Sequence, residues 1–312
     1  MTSLESIGTN KQPSSSVVAR RRPSSPVVAV VGVGAMGLPM ALRLHRQGMS
    51  VRAVDLDPAR VQQCQEAGLT AGSDLALLAG AEVVLVMVTT GPQLLSLLTA
   101  PVVTDGALSG SVLVVGSTVG PEAVRSAAVL AERYGIGLVD CPVTGGVTGA
   151  TAGTLTLLAA GAPATVESLA STLTALGDIR VVGTRPGDGQ SLKLVNQMLA
   201  GIHLAAAGEA FAFAERLGLD LETVREVLPT GAAASWMLVD RGPRMILPAT
   251  RRPTETLLSV FVKDSGLVAD AAAAVGAHAP LTEAARTAWR EAAELGLGDG
   301  DDSGVVEVFR HG

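Results

Sequence analysis

The chain has 312 residues, 48% hydrophobic and 17% charged, with a net charge of −6, which excludes wholesale disorder and leaves room for two domains or one large one. No Lys/Arg block is long enough to track a nucleic-acid backbone, and no apolar stretch escapes Gly, Thr or Pro for the ~20 residues of a membrane span. Two cysteines, Cys64 and Cys141, cannot make a disulfide framework, and a reducing, cytoplasmic compartment is expected.

Residues 1–25 are Ser, Pro and Arg with little hydrophobic pattern. They read as a disordered tail with a weak likeness to a transit peptide. From Val27 the chain alternates between two textures. Short β-branched runs lie at 27–34, 50–57, 81–88, 111–118 and 137–143. Helical stretches lie between them at 36–48, 58–68, 74–78, 92–99 and 121–135. Strands alternating with helices predict βαβ units, hence a doubly wound parallel sheet with helices on both faces. A last strand–helix–strand piece is expected over 154–183. After Gly189 no strand pattern returns. Ser191–Leu217 reads as one long helix, followed by helices near 220–229, 234–247, 256–276, 279–295 and 301–310. The chain is therefore expected to be α/β, with a dinucleotide-binding Rossmann domain over 26–189 and an all-helical substrate and dimerisation domain over 190–312. The long helix is apolar on more than one side and must be covered, so a homodimer or homotetramer through the helical half is expected.

Gly32-Val33-Gly34-Ala35-Met36-Gly37 follows the first strand and opens the first helix. In this context GxGxxG points to a dinucleotide. Gly32 permits the tight turn, Gly34 lets the backbone approach a pyrophosphate, and Gly37 allows helix to pack closely on strand. Asp55 ends the second strand, where a carboxylate receives the ribose 2′-hydroxyl of NAD, and Asp57 adds negative charge that repels a 2′-phosphate. NAD is therefore preferred to NADP, although Arg52 and Arg60 are placed where a phosphate-binding cation would stand. Asp57 reads better as a helix cap before Pro58 than as a cofactor ligand.

Hydride transfer needs a group that moves a proton to or from the substrate oxygen. Of the four histidines none sits at a strand's carboxyl end, where ligands bind in such sheets. His203, on the long helix, reads as core or interface. Lysine is scarce: only Lys11, Lys193 and Lys263 occur among 23 basic residues. Lys193 lies early in the long helix, where Asn196 and Gln197 share its face and Leu192, Leu194 and Val195 surround it. Apolar surroundings lower an ammonium's pKa and suit acid/base work, whereas a snorkelling lysine is the plainer alternative. Asp140-Cys141-Pro142-Val143-Thr144-Gly145-Gly146 closes a strand with a turn whose N–H groups and hydroxyl suit a carboxylate; an ordinary strand-end turn fits equally well. Thr118 either faces the cofactor and substrate or caps the next helix. No metal-ligand spacing occurs.

These segments, in this order, resemble the β-hydroxyacid dehydrogenase family, which includes 3-hydroxyisobutyrate and tartronate-semialdehyde enzymes. The glycine loop at 32–37, DCPVTGG, GDGQSLKLVNQ and FVKDSGLVAD carry the likeness, over roughly 27–309. The C-terminal half, with QMLAGIHLAAAGEAFAFAERLG, ASWM and GDGDDSGVVEVF, is most similar to the L-threonate-oxidising subgroup. The resemblance implies Lys193 as catalytic acid/base, Asn196 and its neighbour Gln197 as substrate ligands, and Thr144, Gly145 and Gly146 around the substrate carboxylate. It implies Thr118 and Lys263 against the cofactor, with Met87, Val88 and Gln93 lining the nicotinamide side. The activity implied is NAD-linked oxidation of the C2 hydroxyl of a small sugar acid. An NADPH-dependent reductase of small aldehyde acids, a 3-hydroxyisobutyrate-type dehydrogenase and a non-catalytic NAD-binding redox sensor are the alternatives. The family commonly has Ser where Thr144 stands and a second Asn where Gln197 stands, departures that bear on substrate identity more than on reaction type.

Overall fold

The structure is a computed structural model that describes residues 26–311; the expected tail at 1–25 lies outside the described residues. Six parallel strands come first: β1 (Val27–Val31), β2 (Ser50–Val54), β3 (Thr70–Gly72), β4 (Val83–Val86), β5 (Val112–Val115) and β6 (Gly137–Asp140). Their spatial order is β3-β2-β1-β4-β5-β6, the doubly wound order whose direction reverses between β1 and β4. The crossovers carry α1 (Gly37–Arg46), α2 (Pro58–Glu66), α3 (Gly91–Leu98), α4 (Pro101–Thr104) and α5 (Pro121–Arg133). The continuous apolar strands are explained by burial on both faces. Val28 and Val30 enter one core, with Met40 and Leu44 of α1; Ala29 and Val31 enter the other, with Leu94 of α3 and Val124 of α5. β3 was not expected: its three residues, Thr70-Ala71-Gly72, carry no β-branched run, and pairing with the edge of β2 makes them a strand.

The doubly wound parallel sheet is as expected, and antiparallel pairs are added at its far edge. The turn after β6 leads into β7 (Val143–Thr144) and an unforeseen helix, α6 (Gly146–Ala152). Strand β8 (Leu155–Ala160) then runs antiparallel to both β6 and β7, because Val143 and Thr144 pair with β8 instead of starting a crossover. After α7 (Pro163–Ser168) and α8 (Ala170–Thr174), β9 (Gly177–Gly183) pairs parallel with β8.

Helix α9 spans Asp188–Arg216, 29 residues and about 43 Å at 1.5 Å per residue. Its first turns pack on β6, β8, β9 and α5, and its remainder on α10 (Leu221–Val227), α11 (Trp236–Met245), α12 (Leu258–Ala274), α13 (Pro280–Glu294) and α14 (Val306–His311). It thus ties the sheet to the helical half. Leu204 and Phe211 of α9 share a core with Phe261 and Trp289, whose rings stack with centroids 4.9 Å apart. The acidic run near the C-terminus is structural. Buried Asp302 accepts two bonds from Arg241 Nε, both 3.1 Å, and buried Asp301 accepts from Arg244 Nε at 3.0 Å. Helix α9 is not buried all round. Leu192, Val195, Leu199 and Phe213 are exposed along it and Leu217 just past its end, and His203, expected in core or interface, is exposed with them.

Candidate active site

The carboxyl ends of β1, β4, β5 and β6 converge with the start of α9 and the middle of α12. At β1 the glycine loop has the geometry a pyrophosphate needs. Gly32 is left-handed (φ 87°), and a Cβ there would lie 2.5 Å from the Met87 carbonyl oxygen. A Cβ on Gly37 would overlap the Gly32 carbonyl, whereas one on Gly34 would have nothing within 4 Å. The first N–H groups of a helix have no intrahelical acceptor, so the open space at Gly34 leaves room in which phosphate oxygens could meet the start of α1. Val33 and Asp55 are joined directly: the Val33 N–H donates to Asp55 Oδ2 at 2.7 Å, and the Asp57 N–H to Asp55 Oδ1 at 2.9 Å. Asp57 itself caps α2 by accepting from the Ala59 N–H. Arg52 is committed elsewhere, donating to the Leu77 and Ala79 carbonyls.

At the end of β4, half-buried Met87 and Val88 flank the loop. Gln93 is exposed one turn into α3, and its Oε1 accepts from the Thr89 and Thr90 N–H groups in a capping box. Its oxygen holds the turn that carries Met87 and Val88 toward the cleft. Thr118 does not cap the following helix: Gly120 stands at that position and no side chain caps it. Instead the Thr118 carbonyl accepts from Lys263 Nζ at 2.7 Å, a contact from α12 to the end of β5. Thr144 ends β7, half-buried, and Gly145 and Gly146 are exposed with positive φ (125° and 62°) as α6 begins.

Lys193 lies in the second turn of α9 and is only 7% exposed. Burial pushes its pKa down from 10.5 to about 8; the Asp264 carboxylate opposes that fall and the Lys263 ammonium adds to it. The side chain is therefore not laid along the surface, as an ordinary snorkelling lysine would be. The neighbours form a chain of bonds. Asn196 Nδ2 donates to Gln197 Oε1 at 2.9 Å, Gln197 Nε2 to Asp264 Oδ2 at 2.5 Å, and Asp264 Oδ1 lies 2.9 Å from Lys263 Nζ. Asp264 is 2% exposed. Gln197 thus makes one bond at each end of its amide and keeps a second N–H and a second lone pair for another partner.

Two polar residues without an assigned role in the sequence hold these parts together. Asp140 and Gln190 are both fully buried. Asp140 Oδ2 accepts from the Gly187 and Gln190 N–H groups, both 2.9 Å, at the start of α9. Gln190 Nε2 donates to Asp140 Oδ1 and to the Ser117 carbonyl, both 2.9 Å, and its Oε1 accepts from the Val119 and Gly120 N–H groups at 2.9 and 3.1 Å. The spacing of Gln190 three residues before Lys193 was the available signal; the partner, 50 positions away, was not.

A glycine loop at the topological switch point, and a buried amine early in the helix that packs against the strand ends, are the parts a nicotinamide-dependent oxidoreductase needs. Comparison with known proteins gives the family. Residues 27–184 match the model described as the NAD-binding domain of 6-phosphogluconate dehydrogenase. Residues 187–309 match the one described as NAD-binding of NADP-dependent 3-hydroxyisobutyrate dehydrogenase. L-threonate dehydrogenase of Escherichia coli K12 is 33% identical over 286 residues, covering 90% of this chain and 94% of that protein. 3-Hydroxyisobutyrate dehydrogenase of Pseudomonas aeruginosa is 33% identical, covering 91% and 98%. The crystal structure of a 3-hydroxyisobutyrate dehydrogenase from Salmonella typhimurium superposes with a TM-score of 0.82 at 30% identity, covering 91% of this chain and all of that one. The chain belongs to the 3-hydroxyisobutyrate dehydrogenase-like family of NAD(P)-dependent β-hydroxyacid dehydrogenases. Among the described residues no helix is long and apolar enough to cross a membrane and no cluster suits a metal ion.

Proposed function

We propose that the protein oxidises the C2 hydroxyl of a small sugar acid of the L-threonate type, with NAD as hydride acceptor. The observation that carries the proposal is Lys193: a buried amine, brought near neutrality by desolvation, on the helix that faces the strand ends. Neutral Lys193 accepts the hydroxyl proton as the carbinol hydride leaves, and returns it when the reaction runs backward. A nicotinamide held by the glycine loop would supply the hydride acceptor, or the donor in reverse. Thr144, Gly145 and Gly146 offer a hydroxyl and N–H groups to the substrate carboxylate, and Asn196 binds a hydroxyl beside the reacting carbon. Gln197 and Asp264 hold Asn196 in place, and Lys263 clamps the loop at Thr118. The substrate class rests on the named relatives. NAD is favoured over NADP because Asp55 and Asp57 present carboxylates to the ribose edge while Arg52 is spent on main-chain carbonyls. A second copy covers the exposed Leu192, Val195, Leu199 and Phe213 of α9, and Leu217 just past its end, in a dimer or tetramer.

A panel of C3–C6 hydroxy acids, assayed with NAD and with NADP, tests this reading. The expected result is turnover of L-threonate with NAD. Reaction only at a 3-hydroxyl, or only with NADP, replaces the substrate or the cofactor while keeping the family; no turnover of any hydroxy acid removes the proposal.

A further inference from the structure

We infer that Gln190, backed by Asp140, is the positioning residue that fixes Lys193 against the cofactor side of the cleft, so that one buried carboxamide registers the two domains at the point of reaction. This rests on the reading of Lys193 as acid/base and adds to it the means by which the amine is held.

The geometry is specific. A carboxamide offers two N–H donors and one carbonyl oxygen, and Gln190 uses both donors and takes two bonds at the oxygen, all from protein groups, at full burial. Three of its partners belong to one loop, at Ser117, Val119 and Gly120. They bracket Thr118, whose carbonyl Lys263 holds from α12. The fourth partner, Asp140, ends β6 and also accepts from the first turn of α9 through Gly187 and Gln190 themselves. The helix cannot rotate or slide without breaking bonds to β5 and β6 together. The seat is also sterically close: a Cβ on Gly189 would lie 2.6 Å from the Leu158 carbonyl oxygen and 3.0 Å from Asp140 Oδ2. Residues three apart share a helix face, so the rotation of Gln190 about the axis sets that of Lys193. A displacement of about 1 Å at a reacting group costs about 10²-fold in rate. Stability alone does not require so polar a contact, because apolar packing of the same volume would serve; what the amide adds is register.

The test uses the full chain with its three lysines. Biosynthetic labelling with 13C-lysine gives three side-chain signals, of which Lys193 is assigned by its loss in Lys193→Met. In Gln190→Met the loosened helix admits water to the amine, so the Lys193 titration midpoint rises toward the free-lysine value, and turnover falls by about 10²-fold while cofactor affinity is kept. In a folded Gln190→Met protein, an unmoved midpoint or undiminished turnover overturns the inference. Where that variant does not fold, Asp140→Asn/Gln190→Glu carries the test: it restores the pair with donor and acceptor exchanged. It is expected to recover turnover about tenfold above Gln190→Glu alone, since a restored hydrogen bond to a charged group has that worth; a folded double variant no better than the single one overturns the inference. If Lys193→Met itself retains turnover, the acid/base reading fails, and the midpoint still reports whether Gln190 seats the amine.

Discussion

Replacing Lys193 by methionine keeps an unbranched apolar chain of similar length and removes the amine, so the buried site stays filled. The consequence can be worked from the pKa. An amine at 10.5 is neutral in only about three molecules in ten thousand at pH 7, and one at about 8 in roughly one in ten. Burial therefore raises the population of competent base about 300-fold, equivalent to about 3 kcal/mol. The sign follows from the direction of the reaction. Oxidation needs the neutral amine, so its kcat/KM climbs about tenfold per pH unit below the Lys193 pKa and levels above about 8. Reduction needs the ammonium, so its rate is level below about 8 and falls above it. Lys193→Met is expected to abolish both limbs and to lower kcat by about 10²–10⁴-fold, with NAD affinity unchanged. The assay is nicotinamide absorbance in both directions from about pH 6 to 10, with cofactor affinity from fluorescence titration. A variant that retains more than about a tenth of the parent kcat, or a parent limb near the free-lysine value, would refute the role.

Asp55→Ala removes the acceptor that holds the Val33 N–H and, in the proposed reading, receives the ribose hydroxyl; NAD affinity is expected to fall about tenfold or more and the preference over NADP to shrink, whereas an unchanged preference would assign the choice elsewhere. Gly37→Ala drives a Cβ into the Gly32 carbonyl, so the loop must open, with about 1–3 kcal/mol lost from urea unfolding and weaker NAD binding; a neutral substitution would show that the loop is not packed as described. Arg241→Met leaves buried Asp302 without its hydrogen-bonded partner, with only Arg244 at 3.8 Å, and is expected to cost about 3 kcal/mol, and a loss below about 1 kcal/mol would mean the network is solvated. Leu199→Asp and Phe213→Asp, on the exposed face of α9, are expected to reduce the mass measured by light scattering to that of one chain; an unchanged oligomer places the contact elsewhere.

What was legible in the sequence was local, and what was hidden was long-range pairing. The β1–glycine loop–α1 unit follows from backbone sterics within a dozen positions, so Gly32, Gly34 and Gly37 have the geometry that the motif requires. Lys193 stood out because lysine is scarce and its neighbours Asn196 and Gln197 recur at helical spacing. The antiparallel course of β8 and the strand β3 depend on partners far along the chain, and neither has a local signal strong enough to announce them. Most hidden were Asp140 and Gln190, an aspartate at a strand end and a glutamine near a helix start, which lie in quoted motifs but have no role of their own until the fold buries them together. That difference has a physical origin. A catalytic amine needs only a lowered pKa, which apolar neighbours supply and a sequence displays. Fixing that amine's position to within about an ångström against another part of the fold needs hydrogen bonds with defined directions, and their partners must come from whichever strands the topology brings near. Desolvation of Lys193 is therefore written in the helix that carries it, whereas its register is written across Ser117, Val119, Gly120, Asp140 and Gly187, five residues that no pattern in the chain joins.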